Sequence, residues 1–200
     1  MVILCKDTVL LKEADMLLEN SKLYLRPVAD QDLEQLRLWR NSKDFQTYCS
    51  SRSNQVTQEQ FLKEFQQDFK KDRHQQFIIV RRRDGKSIGT IFSYNLNTHD
   101  GHVFITVFID EQYRRFGYGA IAIVLFGLHL FQTLELHKIY CDVYSYNAYS
   151  LKALIGAGFV EEGRFREQKL LDGQRFDVIR LAFFQKQITS IRIGPSKSAK

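Results

Sequence analysis

Residues 113 to 131, YRRFGYGAIAIVLFGLHLF, constrain this chain more than any other stretch. Two arginines and two glycines stand directly ahead of a long apolar run. Glycine in a helix interior costs about 1 kcal/mol relative to alanine, so Gly117 and Gly119 need a reason. The segment before them, HVFITVFID, is rich in β-branched and aromatic residues and reads as a strand. After them Ile121, Val124, Leu125, Leu128 and Phe131 recur at helical spacing. The glycines therefore fall at a strand-to-helix junction. Bare backbone N–H groups and the positive end of a helix dipole meet there, and together they suit an anion.

The rest of the chain supplies the frame for that junction. LYLRP (23 to 27) reads as a short strand, and Asp30 as the N-cap of a helix over QDLEQLRLWRN that carries Leu33, Leu36 and Trp39 on one face. A polar loop, CSSRSNQV, follows. Thr57 and Gln60 have capping-box spacing ahead of Phe61, Phe65 and Phe69, which mark a second amphipathic helix. QFIIVRR and SIGTIFSYNL read as strands joined by an Asp84-Gly85 turn. Beyond the junction come a strand, KIYCDV, and a helix, NAYSLKALIGAGF, ending at a left-handed Gly158. A last hairpin turns at Asp172-Gly173, and the polar tail SIRIGPSKSAK is expected to fray. The 200 residues suit one domain with a sizeable core. No repeat or linker divides them. The fold class is mixed α/β (α+β), with strands outnumbering helices.

Charge and cysteine usage narrow the function. The net charge of +6 favours anionic partners. The basic residues are dispersed, RRRDGK at 81 to 86 being the densest cluster, so nucleic acid is not the favoured partner and an anionic cofactor suits the same field. Cys5, Cys49 and Cys141 are far apart and lack C-x-x-C spacing, which indicates neither a disulfide framework nor a zinc site, and no metal is expected. Charged residues interrupt the N-terminus, so no signal peptide is read, and no run approaches the ~20 apolar residues of a membrane span. A soluble, cytoplasmic protein is expected.

Arg114-Arg115-Phe116-Gly117-Tyr118-Gly119 fits Q/R-x-x-G-x-G/A, lies at a strand-to-helix junction, and is followed about 30 residues later by Asn147 in YSYNAYSLKALIGAGF. On these residues the chain resembles the GNAT superfamily of N-acetyltransferases from about Leu23 to Phe184. The opening LYLRPVADQDLEQLRLWRN and the ending GAGFVEEGRFREQKLLDGQRFDVIRLAFF resemble the branch of ribosomal-protein N-terminal, spermidine and nucleotide-amino-sugar acetyltransferases. The resemblance implies a mostly antiparallel, splayed sheet flanked by helices, over residues 23–186, with an extension at 1–22 and a tail at 187–200. It implies that acetyl-coenzyme A is the co-substrate. Its pyrophosphate would lie on the loop Arg114, Arg115, Phe116, Gly117, Tyr118, Gly119 and Ala120. Its pantetheine would lie along the backbone of Val107, Phe108 and Ile109 and against Asn147, which also suits a helix N-cap. The partner is then an amine, small or at a protein N-terminus, with a homodimer open and no membrane.

The resemblance also marks two departures. The tyrosine that often protonates the leaving thiolate, four residues before the Gly-Phe pair, is Leu154 here, and Tyr146 and Tyr149 are out of register. Ser150 stands where the branch often carries serine and is a candidate for the thiolate. The glutamate common in the strand before the loop is Phe104, with His102 on the same strand face as the remaining candidate base. Asp177 matches an aspartate common in the branch, and Asp172 lies near it. An α-amine has a pKa near 8 and a lysine amine near 10.4, a gap of about 3.3 kcal/mol in reaching the neutral nucleophile. A site without a strong base therefore suits amino sugars and α-amines better than polyamines or lysines. A small molecule such as an amino sugar is the first expectation and a protein N-terminus the second. The rivals are a non-catalytic acyl-coenzyme A-binding module and an RNA- or ribosome-associated protein.

Overall fold

Alternating apolar residues make strands here, and four-residue repeats make helices. The computed structural model describes residues 19–50, 54–70 and 75–190, without the side chains of 69–70 and 188–190. The strands are β1 (Leu23–Pro27), β2 (Gln76–Arg81), β3 (Lys86–Asn97), β4 (His102–Ile109), β5 (Lys138–Tyr144), β6 (Val160–Leu171) and β7 (Gln174–Phe184). The helices are α1 (Leu33–Asn41), α2 (Lys43–Tyr48), α3 (Gln58–Lys70), α4 (Tyr118–Thr133) and α5 (Ala148–Gly156). The strands form one sheet in the order β1-β2-β3-β4-β5-β7-β6, antiparallel except for β4 and β5. The expectations for Cys5, for most of the 1–22 extension, for the Phe69 side chain and for the tail beyond 190 lie outside the described residues.

Two cores share the sheet. On one face α4 lays Ala122, Phe126 and Leu130, all 0% exposed, against Ile79, Ile91, Val103, Ile105 and Leu181. On the other, Trp39 of α1, Phe45 of α2 and Phe61 of α3 cover Ile78, Val80 and Phe108. Among the described residues no helix is long and apolar enough to cross a membrane.

The turn chemistry read from the sequence is present. Thr57 and Gln60 bond reciprocally at 2.9 and 3.2 Å as a capping box. At the end of α5 the Phe159 N–H reaches the Leu154 carbonyl and the Gly158 N–H the Ile155 carbonyl, both at 3.0 Å. That double bond pattern closes a helix only if Gly158 is left-handed, and its φ is +99°.

Two local expectations need correction. Asp30 is not the cap of α1. It opens a 3-10 turn over Asp30–Asp32, and the organising carboxylate is Asp32. Asp32 takes both guanidinium nitrogens of Arg26 at 2.6 and 2.7 Å and the Ala29 N–H at 2.8 Å. Burial alone would raise its pKa, but these donors hold it below the usual carboxylate range. The second correction is α2, a short helix between the expected helix and the polar loop CSSRSNQV, where no element is expected. Ser42 caps it, accepting the Phe45 N–H at 3.1 Å, with Asp44 in the first turn.

Candidate functional site

The site begins where two parallel strands part. β4 and β5 pair only through His102–Lys138, Val103–Ile139 and Phe104–Tyr140. Beyond these, β4 stays with β3 as far as Ile109 opposite Gly89, and β5 stays with β7 as far as Tyr144 opposite Val178. Each strand follows its own half of the sheet, and a wedge opens toward their C-terminal ends. The Asp110 N–H donates to the Ile88 carbonyl of β3 at 2.9 Å. By alternation Phe108 also turns its backbone to β3, and Val107 and Ile109 turn theirs into the wedge. Of the three residues expected along the wedge, Phe108 is thus placed differently. A Cβ on Gly89 would sit 2.1 Å from its carbonyl. Its ring packs on Phe45 and Trp39, with centroids 5.3 and 5.9 Å away.

The glycine loop closes the mouth of the wedge. Arg115 and Gly117 are both left-handed, φ +68° and +80°, on either side of Phe116. Such alternation turns successive N–H groups into one concavity. None of the amides of residues 115 to 120 donates to another described group, and the first intrahelical bond here is the Ile121 N–H to the Gly117 carbonyl at 3.2 Å. These amides end a 16-residue helix, so the dipole adds to their field. Gly117 is required by its φ. Gly119 is different: a Cβ there would meet only Ile109 Cγ1 at 3.6 Å, an ordinary contact. Among the described residues the packing does not call for a glycine at 119; close approach of the backbone to a ligand would.

The two arginines divide their work. Arg114 points inward, its Nε donating to the Ile109 carbonyl at 2.9 Å and its guanidinium pairing with Asp44 of α2 at 3.0 Å. It also lies over the Tyr48 and Phe108 rings. It fastens the loop to α2, whereas Arg115 is exposed beside the amides.

The other arm of the wedge carries Asn147. Its side chain accepts the Ser150 N–H at 3.2 Å, and its own N–H reaches the Tyr144 carbonyl at 2.8 Å, so it is the N-cap of α5. Ser150 therefore sits in the first turn of α5, partly buried, near that arm. Leu154 is 4% exposed and belongs to the core under α4. Tyr149 is exposed. The Tyr146 hydroxyl donates to the Thr47 carbonyl at 2.5 Å, and burial pushes its pKa up. The Tyr144 hydroxyl likewise reaches the Ser50 carbonyl at 3.2 Å. These bonds tie α2 and the residue just past it to the end of β5 and the turn that follows. Asp177 accepts the Glu167 N–H at 3.0 Å and pairs with Arg164, which shapes the β6–β7 ribbon. Asp172 is in the hairpin turn, at φ +48°.

On the face away from α4, the floor between the arms is aromatic. Tyr94, Phe104 and Tyr140 form a row with centroids 5.5 and 5.0 Å apart. Arg180 lies over Phe104, Tyr140 and Phe165 and is bonded twice to Asp142, at 2.9 Å each. His102 is at the closed end, packed edge-on to Tyr140 at 5.6 Å and Phe104 at 6.4 Å. The sequence reading did not single out Tyr94, whose hydroxyl pairs with Thr106 and whose pKa burial pushes up to about 12. Only strand register brings it beside Phe104.

A splayed β4–β5 pair, with a nest of free amides at its mouth and an aromatic floor behind it, defines an acyl-coenzyme A-dependent transferase architecture. Comparison with known proteins agrees. The acetyltransferase (GNAT) domain family matches residues 22–160, and the chain belongs to it. It is an acetyl-coenzyme A-dependent N-acetyltransferase. A relative, the probable N-acetyltransferase YjcK of Bacillus subtilis (strain 168), is 27% identical over 164 residues, covering 78% of this chain and 91% of that protein. The crystal structure of spermidine N-acetyltransferase from Vibrio cholerae with CoA and spermine superposes with a TM-score of 0.77 at 22% identity, over 85% of this chain and 99% of that one. RimL, a ribosomal L7/L12 α-N-protein acetyltransferase in complex with coenzyme A, superposes at 0.72 with 16% identity, over 82% and 95%.

Proposed function

We propose that residues 23–186 form the catalytic domain of a cytoplasmic enzyme that acetylates the weakly basic primary amine of a small molecule such as an amino sugar. The observation that carries this is the floor of the wedge. Where the related enzymes often present a glutamate, Phe104 lies in the row of Tyr94 and Tyr140. Among the described carboxylates, Asp142 beside the floor is engaged by Arg180, and Asp44 and Asp110 toward the mouth are engaged by Arg114 and by the Trp39 Nε1–H at 2.9 Å. A polyamine needs free carboxylates for its several ammonium groups, whereas the C–H face of a sugar packs on aromatic rings. A protein α-amine, with a similarly low pKa, is the second acceptor class.

In this reading acetyl-coenzyme A lies between the backbones of Val107 and Ile109 on one arm and Asn147 on the other. Its pyrophosphate is on the amides of residues 115 to 120. The neutral amine attacks the thioester carbonyl directly. The new N–C bond forms, the C–S bond breaks, the nitrogen gives up one proton to become the amide, and the departing thiolate takes one up in the region of Ser150. Both described thiols support direct attack over an acyl-enzyme. Burial pushes Cys49 up to about 12 and Cys141 higher still, so neither is a thiolate at neutral pH. The test is release of coenzyme A across an amine panel of amino sugars, peptide N-termini, polyamines and lysine derivatives. Turnover led by amino sugars supports the proposal. Turnover led by peptides selects the second class, and turnover led by spermidine overturns both.

A further inference from the structure

The glycine loop has a second side, turned away from the wedge, and it faces a basic cleft. The chain before β1, the β2–β3 turn and the Phe116–Tyr118 segment meet where β4 runs out. Between them they line a cavity of about 380 Å³ with Lys22, Arg81, Arg82, Arg83, Phe116 and Tyr118. Two of its arginines build its walls. Arg81 is bonded twice to Asp84 and lies on the Tyr113 ring, 4.7 Å from its centroid. Arg82 is bonded to the Asn20 carbonyl and paired with Glu19. Lys22 and Arg83 have no carboxylate partner among the described residues. Phe116 is 63% exposed, the most exposed of the large apolar side chains described.

Among the described residues no carboxylate pairs with Lys22 or Arg83, and the exposed Phe116 ring has the Tyr118 ring beside it at 6.1 Å. A ligand carrying both an anion and a flat ring would suit these groups. The cleft shares residues 116 and 118 with the amide nest, so any group one sugar away from a diphosphate held there comes within reach. Coenzyme A carries two such groups on its ribose, a 3′-phosphate and an adenine. We infer that this cleft receives the adenosine 3′-phosphate end of acetyl-coenzyme A, with Lys22 and Arg83 reading the phosphate and Phe116 packing on the base. The inference rests on the acetyl-coenzyme A assignment and goes beyond it, naming a subsite on the β2–β3 turn that makes the chain select for the 3′-phosphate.

Calorimetry with coenzyme A and with 3′-dephospho-coenzyme A tests this without any acceptor. The wild type should bind coenzyme A about 10-fold or more tightly than the dephospho form, the size expected for charge-assisted bonds to one phosphate. In the Lys22→Ala/Arg83→Ala double variant the two affinities should fall within about 3-fold of each other, with the dephospho form bound as by wild type. Phe116→Ala should weaken both ligands and keep their ratio. Equal wild-type affinities, or a ratio that survives in the double variant, would overturn the subsite while leaving the amide nest in place. Failure of both ligands to bind the wild type would overturn the acetyl-coenzyme A assignment along with it.

Discussion

Gly119 separates a structural requirement from a functional one. The φ of +80° at Gly117 would cost an alanine about 1 kcal/mol or more, so a glycine there is explained by the backbone. Gly119 has no such demand and has room for a methyl group. Gly119→Ala should therefore leave the thermal midpoint unchanged or raise it, by up to about 1 kcal/mol of helix propensity. In the proposed complex the same methyl would crowd a diphosphate held on the amides of residues 115 to 120. Affinity for coenzyme A should fall by about 10-fold or more, as when one charge-assisted bond is lost. A variant that is equally stable and binds equally well would refute the nest. Arg114 is the contrasting residue. Its type suggests a phosphate ligand, but its contacts with Asp44 and the Ile109 carbonyl make it a brace.

α4 connects the loop to the core, and its one buried polar side chain makes it sensitive to pH. His129 is 3% exposed, with Nε2 3.1 Å from Gln75 Oε1 and its ring against Phe77 and Phe126. Burial lowers its pKa below the ordinary imidazole value of about 6.5. The unfolded chain therefore takes up this proton more readily than the folded one. The stability it contributes is complete above about pH 6.5 and is lost as the pH falls from there through the folded pKa. Urea midpoints measured from pH 8 to pH 5 should decline through this range. Replacement by a residue that does not titrate, His129→Gln, should flatten that part of the profile even if it lowers the midpoint overall. An unchanged pH slope in the variant would assign the titration to another group.

At the scale of the whole molecule, the proposed reaction is direct attack of the amine on the thioester, so both reactants must be bound together before the acetyl group moves. Initial-rate patterns should intersect, as for sequential kinetics, and a chelator should leave turnover intact. Proton handling follows from what surrounds the floor. His102 is at the closed end of the wedge, enclosed by Phe104 and Tyr140, at the point where β4 and β5 still pair. With no carboxylate in the place of Phe104, log(kcat/KM) should rise with pH along the ionisation of the free amine. His102→Ala should change it by less than about 3-fold, well short of the 10²-fold or more of a general base. A loss of that larger size, with coenzyme A affinity preserved, would make His102 the base.

Local sequence determined the elements wherever one short stretch held the whole signal. The strand-to-helix junction, the Asp84-Gly85 and Asp172-Gly173 turns, the Thr57–Gln60 box and the Gly158 stop each depend on residues within one turn of each other, so spacing alone revealed them. Ser42 and Asp44 signal the start of the short helix α2, but six residues show too little periodicity to read as a helix. Asp30 reads as a cap, but a 3-10 turn stands there and the organising carboxylate is Asp32, a choice made by Arg26 on a neighbouring strand. The site itself is mostly tertiary. Strand register set Tyr94, Phe104 and Tyr140 in one row, and the divergence of β4 from β5 after three pairs opened the wedge. A guanidinium was spent on Asp44 instead of on a ligand. Chain order specifies which strands exist. How far two of them stay together is decided by what each packs against on its other side, and that information is spread over the whole fold.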